Sequence, residues 1–135
     1  MSEENVELAA RWYEPATSKA ALLEAMPRTM ALCHPDVEWT APEDGTVYRS
    51  RDGVRQRLEE WLGSFVEYRY DVQRIIDCGG DLVLVAGLEI GRGEISGAEV
   101  RSTNYELLTI RDGMIVRICE FYDERRALQA AGLQE

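Results

Sequence analysis

Apolar residues recur every three or four positions through the first half of the chain and alternate with polar ones through the second. Val6, Ala9, Ala10 and Tyr13 form one stripe, with Leu8 and Trp12 beside it, which predicts a helix over residues 4–14. Pro15 ends it, because the proline ring cannot sit in a helix interior. Thr17 or Ser18 is placed to cap a second helix, with Leu22, Leu23, Met26, Met30 and Cys33 as its buried side. Pro27 falls inside that pattern and predicts a kink or a split into two short helices. His34-Pro35-Asp36 reads as a stop and a turn, residues 37–40 as a short strand closed by Pro42, and Val47-Tyr48 as a second short strand. Ser50 or Asp52 starts a third helix that turns Val54, Leu58, Trp61, Leu62 and Phe65 inward, with Arg55, Arg57, Glu59 and Glu60 outside and Gly63 near its end.

From residue 68 the period changes. Residues 68–76 alternate as a strand, Gly79-Gly80-Asp81 is a turn, and residues 82–90 are a long β run whose Gly87 marks a bulge or bend. Residues 91–97 form a glycine-rich reversal before a strand over 100–110. Asp112-Gly113 is the strongest hairpin signal in the chain. A last short helix follows over 125–131, begun by Asp123 or Glu124. Helices first and strands later indicate an α+β fold. A strongly curved antiparallel sheet with three N-terminal helices across its concave face would leave a cavity. No linker or repeat interrupts the pattern, so residues 1–135 read as one domain.

The hairpin register decides the chemistry. The strand after Gly113 carries Met114, Val116, Ile118, Glu120 and Tyr122 on one face. With a two-residue loop Arg111 pairs with Met114, and Glu120 faces the same way as Tyr105. With a three-residue loop Ile110 pairs with Met114, and Glu120 shares a face with Asn104 and Glu106.

Composition narrows the classes. The net charge of −10 argues against nucleic acid and against anionic membrane surfaces, both of which need Lys/Arg patches. No apolar run is long enough for a membrane span, and the acidic N-terminus lacks a signal core. Cys33, Cys78 and Cys119 have no paired spacing and there is one histidine, so no metal site is expected and the thiols read as reduced, in a cytoplasmic protein.

Glu106 and Glu120 are the candidate catalytic residues. Two carboxylates close together in a partly dry pocket cannot both ionise cheaply, so one would donate a proton near neutral pH while the other accepts one. Trp12, Trp39 and Trp61 are candidate walls for a flat apolar ligand. Asn104 and the Tyr122 phenol are candidate polar anchors, with Glu89 behind them. His34 is read as a residue at a helix C-terminus.

Four segments carry a resemblance: V-E-L-A-A-R-W-Y at 6–13, H-P-D-V-E-W-T-A-P at 34–42, Y-R-S-R-D-G-V-R at 48–55, and residues 111–133 from R-D-G-M-I-V to Q-A-A-G-L. Together they resemble the SnoaL-like polyketide cyclase family. That family belongs to the nuclear-transport-factor-two-like superfamily, with ketosteroid isomerase and limonene epoxide hydrolase. The resemblance implies a conical half-barrel, cystatin-like or ketosteroid isomerase-like, with a pocket at the wide end and a homodimer through the outer sheet face. It also implies departures. The isomerase's general base falls at Trp39, and its first-helix tyrosine falls at Trp12. Its neutral carboxylic acid falls at Glu106. Glu120 is similar in place to one Asp of the epoxide hydrolase, but the Arg-x-Asp of the preceding long strand is replaced by a segment offering only Glu89. The expectation is therefore a pocket for a small apolar molecule with a polar tip. Its activity would be cofactor-free acid–base chemistry of the cyclase, isomerase or hydratase type on a carbonyl compound. The competing expectation is a non-catalytic, dimeric ligand-binding module of the same fold.

Overall fold

The computed structural model describes residues 2–133. Three helices and two strands come first: α1 (Ser2–Tyr13), α2 (Lys19–Met30), β1 (Cys33–Ala41), β2 (Thr46–Arg49) and α3 (Ser50–Gly63). A meander follows, β3 (Phe65–Asp77), β4 (Leu82–Gly93), β5 (Glu99–Arg111) and β6 (Met114–Phe121), and then α4 (Glu124–Ala130). The six strands form one sheet in the order β2-β1-β6-β5-β4-β3. The expected antiparallel sheet holds one exception, since β1 and β6 run parallel. A connection through α3 and the whole meander separates these two strands, which is the length a parallel pair requires.

The caps match their chemistry. Ser18 Oγ accepts from the Ala21 N–H at 3.0 Å, and the Asp123 carboxylate accepts from Arg125 N–H at 3.0 Å. Two local expectations are corrected. α2 runs unbroken through Pro27, whose missing N–H removes one bond without ending the helix. His34 is not at a helix terminus. It is the second residue of β1, where its Nδ1 accepts from the Asp36 N–H at 2.9 Å, so the predicted stop and turn is an irregular strand start.

The sheet separates two cores. The concave side packs α1, α2 and α3 against Val83, Val85, Leu108, Ile110, Ile115 and Ile118. The convex side carries Leu84, Leu107, Cys119 and Phe121, covered by Ala127 and Ala131 of α4. The three N-terminal helices thus lie where expected, while the fourth covers the opposite face.

The hairpin combines the two expected registers, with the two-residue loop of one and the shared face of Glu106 and Glu120 from the other. Asp112 (φ 53°) and Gly113 (φ 75°) form a two-residue loop, and Arg111 pairs with Met114. The next pair is Ile110 with Ile115, but Thr109 then pairs with Arg117, which leaves Val116 as a bulge. The extra residue reverses the strand's parity. Ile115 is therefore buried while Met114 and Val116 are only partly so, and Glu106 comes directly opposite Glu120.

Gly87 shows why curvature and aromatic lining go together. A Cβ there would stand 2.3 Å from Cζ of Tyr70, whose ring lies over β4. The bulge foreseen at Gly87 falls instead on the neighbouring strand, between Val72 and Arg74. The Gly87→Ala variant is expected to lose about 1–3 kcal/mol of stability in denaturant unfolding, the usual cost of overpacking. The same change made in a Tyr70→Leu background should cost less, because the ring it meets is gone.

Candidate functional site

The bulge at Val116 and the alternation of β4 and β5 send Glu89, Asn104, Glu106 and Glu120 to the concave side. Glu120 is 4% exposed and Glu89 6%, while Asn104 is fully enclosed. Beneath the helices lies a cavity of about 80 Å³ lined by Trp12, Trp39, Trp61, Glu89, Glu106 and Glu120, among others.

Each carboxyl is held differently. Glu120 is engaged at both oxygens: Arg57 Nη2 donates to Oε1 at 3.3 Å, and Asn104 Nδ2 donates to Oε2 at 2.5 Å. Glu106 accepts on Oε1 from the Tyr13 hydroxyl at 2.5 Å. Glu89 accepts from the Tyr68 hydroxyl at 2.7 Å and from the Tyr122 hydroxyl at 3.3 Å. Desolvation is the main influence on all three and raises each of them. Glu106 is pushed furthest, up to about 8, by burial and then by the charge of Glu120 facing it. For Glu120 the Arg57 charge and the Asn104 hydrogen bond oppose the effect of burial. The pair is thus asymmetric, with Glu120 the more readily ionised member and Glu106 the proton holder.

Arg57 corrects the sequence reading most. It was expected outside, yet its side chain is 11% exposed. Its guanidinium lies 4.0 Å from the centroid of Trp39 and 5.1 Å from that of Trp61. A planar, weakly hydrated cation suits such a slot. The signal was present: residue 57 is three after Val54 and four before Trp61, in phase with the apolar stripe. The missing phenol is corrected too. The resemblance placed the isomerase tyrosine at Trp12, but the next residue, Tyr13, delivers a hydroxyl to Glu106.

The other candidates divide. Trp12, Trp39 and Trp61 all line the cavity. Asn104 braces Glu120 from full burial, and its Oδ1 has no partner among the described residues. Tyr122 is nearly half exposed and sends its hydroxyl to Glu89, not to the facing pair. Tyr68 and Tyr70 were missed, although both line the cavity; their alternation along β3 was the available signal.

This arrangement, helices across the hollow of a curved sheet with acids and rings between, has the ketosteroid isomerase-like fold. The chain belongs to the SnoaL-like domain family, whose model matches residues 9–118. It is similar to a protein of Jannaschia sp. CCS1 named as a candidate SnoaL-like polyketide cyclase, with a TM-score of 0.76 at 16% identity over 99% of this chain and 95% of that one. A candidate ketosteroid isomerase from Kribbella flavida gives 0.73 at 17% identity over 90% and 79% of the two chains. TerC, co-crystallised with polyporic acid, gives 0.72 at 21% identity over 96% and 98%. None of the curated proteins matches the chain. No helix among the described residues is long and apolar enough to cross a membrane.

Two measurements follow from these placements. Replacing Arg57 by Gln strands Glu120 without its cation, and loss of one partner from a buried pair typically costs ~3–5 kcal/mol. Chemical denaturation should show a loss of that order, and Arg57→Lys, which keeps the charge but not the stacked plane, should fall between. The second concerns pH. A glutamate is ordinarily half-protonated near ~4.3 when unfolded, and Glu106 holds its proton to about 8 when folded. Between those values the folded state binds more protons, so stability contributed by this group is full at low pH and is lost as pH rises through the window. The midpoint of urea unfolding should therefore fall between pH 5 and 8, and Glu106→Gln should flatten that slope.

Proposed function

We propose that this chain is a small-molecule pocket protein that carries out cofactor-free acid–base chemistry on a small, largely apolar carbonyl compound, with Glu106 and Glu120 as its proton-handling pair. The observation that supports this reading best is the direct opposition of two desolvated glutamates, only one of which has a cation beside it. Glu120, kept anionic by Arg57, takes a proton from the carbon next to the carbonyl. As that C–H bond breaks, its electron pair forms the C=C bond and the carbonyl π pair moves onto oxygen. Glu106, held by Tyr13, gives its proton to that oxygen. Reversal at a different carbon, or attack of the enol on a second electrophilic centre, yields isomerisation or cyclisation. Neighbouring charges set which acid gives and which base takes. Trp39 and Trp61 support the reading as walls for an apolar body.

A second reading has its own observation. Both oxygens of Glu120 are already occupied, by Arg57 and Asn104. A base tied in this way suits a binding module that holds a ligand without turning it over. Either form is proposed to pair with a second copy through the part of the outer sheet face that α4 leaves uncovered.

The two readings separate by exchange. In D2O, a small cyclic ketone shaken with the full chain should gain deuterium beside its carbonyl, followed by proton NMR. Glu120→Gln should slow this ~10²–10⁴-fold, the usual contribution of a positioned base. Saturable binding of the ketone with exchange no faster than in buffer would favour the module.

A further inference from the structure

The cavity is unbalanced in charge. Glu89, Glu106 and Glu120 line it, and among the described residues Arg57 is the only cation that does. Arg57 is committed to Glu120 at 3.3 Å. Glu106 and Glu89 face the hollow with phenols alone as partners, from Tyr13, Tyr68 and Tyr122.

The two are set apart along the sheet. Glu106 pairs with Val85, four residues before Glu89 on the same strand. At ~3.3 Å per residue they stand on the order of 13 Å apart along the backbone. Tyr70 lies between them, over Gly87. Asn104, whose Oδ1 acceptor lacks a partner, pairs with Gly87 in the same row. The hydroxyls of Tyr13, Tyr68 and Tyr122, Nδ2 of Asn104 and Nη2 of Arg57 already point at carboxyl oxygens, while Trp61 Nε1 is a buried donor without a partner among the described residues.

The walls have the matching character. Six lining side chains are aromatic: Trp12, Tyr13, Trp39, Trp61, Tyr68 and Tyr70. Ring faces attract cations, and the protein demonstrates it with its own guanidinium, 4.0 Å from the centroid of Trp39. The net charge of −10 adds a field that draws cations in and repels anions.

We infer that the polar end of the pocket's ligand is a basic nitrogen, an ammonium or small quaternary amine seated between Glu106 and Glu89. This deepens the proposal above and rests on its reading of the cavity as a ligand site, though not on turnover there. An anion would meet carboxyl groups in a cavity whose one lining cation among the described residues is already paired with Glu120. A neutral ligand of the same size forgoes both the ring faces and the carboxyls. A carbonyl compound that carries such a nitrogen would serve both ends of the site, the oxygen at Glu106 and the nitrogen toward Glu89.

The test uses three probes of similar size on the full chain: tetramethylammonium, neutral tert-butanol and anionic pivalate, titrated by calorimetry at pH 7. Tetramethylammonium should bind at least ~10-fold more tightly than tert-butanol, and pivalate should give no heat of binding. Glu89→Gln should weaken the cation ~10-fold and leave tert-butanol unmoved. In the unaltered protein, cation affinity should rise from pH 6 to 9 as the facing acids ionise. The acids that face the seat are Glu89, Glu106 and Glu120, with the Arg57 guanidinium beside Glu120, and burial raises the phenols of Tyr13, Tyr68, Tyr70 and Tyr122 above their ordinary range. Equal or tighter binding of tert-butanol, any binding of pivalate, or cation affinity that is flat with pH would overturn the inference. Absence of cation binding while ketone exchange persists would overturn it and leave the acid–base proposal standing. Cation binding without exchange would do the reverse.

Discussion

Two glutamates placed opposite each other on neighbouring strands and largely withdrawn from water are costly to charge together. Like charges directly across a strand pair are destabilising even at a surface, and burial enlarges the penalty because water no longer screens them. Glu106 and Glu120 are in that position. The structure relieves it by breaking the symmetry. A cation and an amide are assigned to Glu120, and a phenol to Glu106. A single proton between the two acids, as proposed, would link the hollow, the helices above it and the proposed chemistry.

Each part of the fold contributes to holding that arrangement. α1 brings Tyr13, α3 brings Arg57, and the curved sheet brings the acids. Gly87 leaves room for the Tyr70 ring to lie across β4, and Tyr70 donates to the Asn104 carbonyl at 3.1 Å, behind the amide that braces Glu120. The Trp39–Arg57–Trp61 stack fixes a long, flexible side chain in one place. Without that support the guanidinium would lose conformational freedom for little gain, as surface ion pairs do. On the far side of the sheet α4 covers Leu107, Cys119 and Phe121, which steadies the strands that carry the facing acids.

Much of this was legible in the sequence, and what was not has identifiable causes. The period of 3.6 located three helices and the alternation located the meander, because burial of one face imposes both. Asp112-Gly113 declared its hairpin, because left-handed backbone angles are cheap for those residues. Glu106 and Glu120 emerged as a pair, yet their register could not be read, because it depends on a single unpaired residue, Val116, that composition does not mark. Arg57 reads as outside on its charge, whereas its position in the helical phase points inward. Tyr13 was passed over for Trp12 because neighbouring helical residues differ by 100° and the resemblance fixed the position only to within one residue. Pro27 does not split α2, which continues through it. The parity of Tyr68 and Tyr70 was visible, but their meeting with Glu89 and Asn104 belongs to tertiary structure.

Unequal sharing of one proton by Glu106 and Glu120 is proposed as the property on which the site depends. Carbon-13 NMR of the side-chain carboxyls, followed from pH 3 to 10 in the unaltered chain and in Glu120→Gln, reads it directly. Two linked titrations are expected, with Glu106 protonated well beyond the ordinary glutamate range and releasing its proton at lower pH once residue 120 is uncharged. Two independent titrations near the ordinary value of ~4.3, with Glu106 unmoved by the substitution, would contradict it.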